Sequence, residues 1–185
     1  DYCGTCARLS LQVGSDAFAG GPGFAQRLSL YRAEETVSGR AVRVRCFVSA
    51  AADVLALELT DTRPEPRPAR VVISTWRPDR VVHGEHVASL DLRTAAGAAV
   101  LTQTFREGDY FRSSAVAVRA GASVVSAEGP CDGTVSLTVP AARGTTLVLI
   151  ASAASRDTST DVAALALAEL AAAARQPYEG LREPH

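Results

Sequence analysis

Along most of the chain, apolar and polar residues alternate with period two, the spacing at which an extended strand turns successive side chains to opposite faces. Arg8 to Val13 and Gln26 to Tyr31 both alternate in this way. Ala41 to Val48 places Val42, Val44, Cys46 and Val48 on one face and Arg43, Arg45 and Phe47 on the other. Asp53 to Leu59 turns Leu55, Leu57 and Leu59 inward. The same pattern predicts strands over 70–76, 86–92, 98–105, 114–118, 134–139 and 146–151. Turn-forming residues separate them at Ser38-Gly39, Glu107-Gly108-Asp109, Asp132-Gly133 and Arg143-Gly144-Thr145. Gly20-Gly21-Pro22-Gly23 reads as a flexible loop. The proline-spaced run from Arg63 to Pro68 reads as a stiff surface connection, because proline lacks the donor that a central strand needs. Many short strands with turn signals between them predict a mainly β, antiparallel sandwich.

One segment departs from period two. Thr160 to Gln176 is rich in alanine and leucine and predicts a helix. Thr158, Ser159 or Thr160 would cap it, and Asp161 in the first turn would suit the helix dipole. Val162, Leu165, Ala166, Leu170 and Ala173 would form its inward side, and Pro177 would stop it. Residues 1–157 are thus expected to form the sandwich and 158–185 a linker helix, with Tyr178 to His185 as a linker running toward a further helix.

Composition changes this picture little. Net charge is −1, which offers no general attraction to nucleic acid or an anionic membrane. No run of about 18 apolar residues is present to span a bilayer. All 19 basic residues are arginine, while lysine, methionine and asparagine are absent and alanine and valine are abundant. A GC-rich bacterial coding sequence accounts for this bias without invoking a site. The chain begins at Asp1 rather than methionine, so a processed or excised chain is expected, with secretion and cytoplasmic residence both open.

Candidate chemistry is sparse. Cys3 and Cys6 form a C-x-x-C pair, whereas Cys46 and Cys131 stand far apart. A local Cys3–Cys6 disulfide, pairing with Cys46 or Cys131, and a metal or redox role all remain open; a disulfide would favour secretion. His83-Gly84-Glu85-His86 has two histidines three apart, which diverge if they share one strand, so a solvated loop is expected there. Glycoside hydrolysis needs two carboxyl groups flanking a sugar bond. Glu34, Glu35, Asp53, Glu58, Asp91, Glu107 and Asp109 are scattered, and their spacing picks out no such couple. Trp76 at a strand end and Tyr110 beside a turn could stack on a sugar face, although packing is the commoner use of such rings. No cofactor or metal site is expected.

Three stretches carry a family resemblance. Tyr31 to Leu59 resembles a line in the N-terminal domains of glycoside hydrolases with an (α/α)6 catalytic barrel, where a strand pair follows the pattern T-R-E-x-F-x-S-x-x-D-x-V-x-V-x-L. Val44 to Ser49 and Asp53 to Leu57 fill that line here. Thr146 to Asp161 resembles the last strand of those domains and the loop into a linker helix. Tyr178, Leu181 and His185 match a phrase that leads into the barrel. The resemblance is to the family 95 α-L-fucosidase group and covers about three quarters of the chain, from roughly Gln26 onward. It implies a β-supersandwich that packs against and supports a catalytic barrel elsewhere in the parent chain. That group's catalytic carboxylates lie chiefly in the barrel, so none carries over to these residues. The Cys3/Cys6 start has no counterpart in the family pattern. An independent carbohydrate-binding module is the alternative reading.

Overall fold

The computed structural model describes residues 7–14, 16–21, 23–75, 78–121, 127–131 (backbone only) and 133–183. Among these residues the strands are, in chain order, β1 (Arg8–Gln12), β2 (Ala25–Ser29), β3 (Glu34–Gly39), β4 (Val42–Val48), β5 (Val54–Asp61), β6 (Ala69–Ser74) and β7 (Arg80–His83). They continue with β8 (His86–Ala95), β9 (Ala98–Glu107), β10 (Tyr110–Ala120), β11 (Ala127–Cys131), β12 (Thr134–Val139) and β13 (Gly144–Ser155). Two helices follow, α1 (Val162–Ala173) and α2 (Tyr178–Arg182). The predicted strands are all present. β3, β7, β11 and α2 were not separate elements of the prediction.

The strands form two antiparallel sheets, the arrangement the alternation predicts. The larger has the order β2-β3-β4-β5-β13-β10-β9-β8-β7, and the smaller the order β1-β6-β12-β11. Hairpins between consecutive strands account for most of the larger sheet. β13 returns to lie between β5 and β10, pairing Val148 with Leu57 and Val118 with Ile150.

Burial shows why the strands pack as they do. Val42, Val44, Leu57, Leu59, Val118 and Val148 of the larger sheet meet Val71, Ile73, Val135 and Leu137 of the smaller one in a dry core. A fully buried side chain of this size contributes roughly 1.5–3 kcal/mol. The other face of the larger sheet is apolar as well: Phe47, Val54, Ala56, Val100, Ala115, Ala117, Leu149 and Ala151 pack against α1 and α2. The molecule is therefore three layers deep at its centre.

α1 lies across β13 and β10, with Val162, Ala163, Ala166, Leu170 and Ala173 buried. Leu165, expected on this face, is exposed, and Ala163 takes its place. The reason is helical phase: at about 100° per residue the five buried positions share one arc, and Leu165 is turned well away from its centre. The cap also differs from expectation. Asp161 is the N-cap, its carboxylate accepting from the Ala164 backbone N–H at 3.0 Å, so the helix starts one residue after it. No helix of the described residues is long and apolar enough to cross a membrane.

The proline-rich connection between β5 and β6 is held by arginines. Arg63 forks onto both carboxylate oxygens of Asp61, at 2.6 and 3.0 Å, and donates to the Val13 carbonyl at 3.0 Å. Arg143 donates to the Arg63 and Pro64 carbonyls from the far side. Hydrogen bonding by Arg63 outweighs burial and holds the Asp61 carboxyl below its ordinary value. A group with a depressed folded-state pKa contributes stability above its unfolded value and loses that contribution as pH falls through the folded one. Asp61→Asn should cost about 3–5 kcal/mol near neutrality, because it leaves the Arg63 charge buried without its partner. The difference from the parent should shrink as pH drops below about 3.9. Urea denaturation at several pH values reads both effects; a pH-independent gap would contradict the ion-pair account.

Candidate functional site

Among the described residues, those singled out in the sequence do not gather into one site. Cys3, Cys6 and Trp76 lie outside the described residues. Tyr110 opens β10 at the tip of the β9–β10 hairpin, 55% exposed, with the Arg112 guanidinium 5.0 Å above its ring. Cys46 is a free, half-buried thiol in the middle of β4. Burial first, and then the nearby Glu35 and Glu34 charges, push its pKa up, which disfavours the nucleophilic thiolate.

The two histidines correct an expectation. His83 and His86 do not share one strand; they flank a two-residue hairpin turn and are direct cross-strand partners of β7 and β8. Gly84 has φ +59° at the first central position, where glycine turns the chain back at no steric cost. Partners paired across such a turn point to the same face, so the histidines sit side by side instead of diverging. His86 Nδ1 lies 3.4 Å from Glu107 Oε2 in the adjacent hairpin and near the Phe105 ring. Among the described residues, no group of three or more histidine, cysteine or acidic side chains is placed to hold a metal ion.

Carboxylates are brought together in two places, neither of which forms a hydrolytic pair. Asp53 and Glu169 line a shallow cleft of about 290 Å³ between residues 49–53 and α1. Both are exposed, and the other lining residues are Ser49 and three alanines. Such a site lacks the apolar enclosure that separates a catalytic acid from its base. The second cluster is where α2 meets the outer face of β3, β4 and β5. Arg45 Nε donates to Glu58 Oε1 at 2.6 Å, and its Nη1 lies 2.6 Å from Glu179 Oε1. Buried Glu34 accepts from the Tyr178 hydroxyl at 3.1 Å and from Arg182 Nη1 at 3.4 Å. Arg182 also reaches Glu179 at 2.6 Å. The Arg45 guanidinium stacks 4.1 Å from the centroid of Tyr178, and Phe47 meets the same ring edge-on at 4.9 Å.

Electrostatics reinforce this lock. Burial, followed by the Glu34 charge and hydrogen bond, pushes the Tyr178 phenol well above its ordinary value, so it remains an O–H donor. Burial pulls the Arg45 pKa down, and the hydrogen bonds to Glu58 and Glu179 more than reverse that pull. Ser49 Oγ donates to the Leu181 carbonyl at 3.3 Å and closes the last turn onto the β4–β5 loop. Tyr178 to Arg182, expected as part of a linker, is thus a turn of helix with Tyr178 and Leu181 buried. Strand alternation held the missed signal: Arg45 sits on the face opposite the core, and the β4–β5 register places Glu58 directly beside it.

These features define a two-sheet β-sandwich with a C-terminal helical segment pinned to its larger sheet. No family model matches the chain, and no curated protein matches it. Solved structures do match. One, described as a "putative kojibiose phosphorylase from human microbiome", aligns over 86% of this chain with a TM-score of 0.52 and 11% sequence identity. The match covers 23% of that protein's chain, so the present residues span under a quarter of its length. At that identity the likeness is one of fold.

Tyr178→Phe removes one donor from buried Glu34 and should cost about 1–2 kcal/mol. Amide exchange should then quicken at Leu181 and Glu183, whose N–H groups bond within α2, and stay unchanged at Val148 in the sheet core. Uniform acceleration, or none, would show that α2 is not held by this contact.

Proposed function

We propose that this chain is a non-catalytic β-sandwich domain of a carbohydrate-active enzyme, packing against and supporting a catalytic domain of the same parent protein. The observation that carries the reading is the fold match: 86% of this chain aligns with part of a phosphorylase named for the sugar kojibiose and leaves most of that protein unmatched. The resemblance of Tyr31 to Leu59 and Thr146 to Asp161 to the N-terminal domains of (α/α)6-barrel glycoside hydrolases supports the same class. The family 95 α-L-fucosidase group is the finer form of that proposal. In this reading residues 1–157 are the sandwich, 158–185 lead toward the catalytic domain, and the lock around Glu34 and Arg45 sets the course of that connection.

The chemistry of the site agrees. Glu34 and Glu58 are bound to arginines, and Asp53 and Glu169 are solvated, so none is paired with a second carboxyl across an enclosed sugar site. A second reading, an independent carbohydrate-binding module, draws on Tyr110, whose exposed ring at a hairpin tip offers a stacking surface, with Trp76 as the other proposed contact.

Incubated with aryl glycosides, or with kojibiose and inorganic phosphate, the 185-residue chain should give no turnover; measurable hydrolysis or phosphorolysis would end the non-catalytic reading. Isothermal titration against oligosaccharides should show no saturable heat. Saturable binding that Tyr110→Ala abolishes would favour the module instead.

A further inference from the structure

We draw no further inference here: the strongest candidate, the exposed face of α1 formed by Ala164, Leu165, Ala168 and Ala171, is a stripe of mostly small apolar side chains, and nothing in the structure shows what covers it.

Discussion

The middle strands of the larger sheet carry apolar side chains on both faces, so neither face is free to meet water. β5 turns Leu57 and Leu59 to one side and Val54 and Ala56 to the other; β13 does the same with Val148 against Leu149 and Ala151. The smaller sheet closes one face. The other needs a cover that approaches closely, because its side chains are short. α1 meets that need with Ala163, Ala166 and Ala173 set over Ala115, Ala117 and Ala151. Each alanine buries little area, so the contact depends on many of them packing at close range. The abundance of alanine, read from composition as a coding bias, therefore also has a structural use at this interface.

Much of this was legible in the sequence, because period-two alternation over valines and leucines has few other interpretations. Every predicted strand forms, and the C-terminal helix forms where alanine and leucine accumulate. The misses have specific causes. β7 is four residues and β3 begins with two glutamates, so neither shows an apolar face of its own. Leu165 was placed inward by helical spacing, but the face that meets the sheet is centred nearer Ala166 and Leu170, which turns Leu165 toward solvent. The histidines were read as a solvated loop whose side chains would diverge if they shared one strand, and a two-residue turn sets them side by side instead. Arg45 and Glu58 stand thirteen residues apart, and only the pairing of β4 with β5 makes them neighbours.

The candidate site was less legible than the fold, because its parts are polar residues whose roles depend on what covers them. Glu34 on a bare strand would be a solvated carboxylate. Once α2 lies over it, it is buried and must be matched, and Tyr178 and Arg182 supply the donors. The same holds for Arg45, whose charge is shared by Glu58 and Glu179 while Tyr178 stacks on its plane. A carboxylate whose oxygens are taken up by arginine and phenol donors in this way has no face left for a substrate, which a general acid requires.

A polar lock of this kind is a poor source of net stability but a good source of position. Desolvating several charges cancels most of what their attraction returns, so an apolar cover would hold α2 at least as firmly. Apolar contacts, however, tolerate sliding. Here, Glu34 has to meet a phenol and a guanidinium at once, Arg45 has to meet two carboxylates and a ring, and Ser49 has to reach the Leu181 carbonyl. A shift of α2 by one residue would break all of these together and strand the buried Glu34 charge. Residues 177–183 are thereby given one placement on the sheet, and under the proposed supporting role that placement matters more than additional stability.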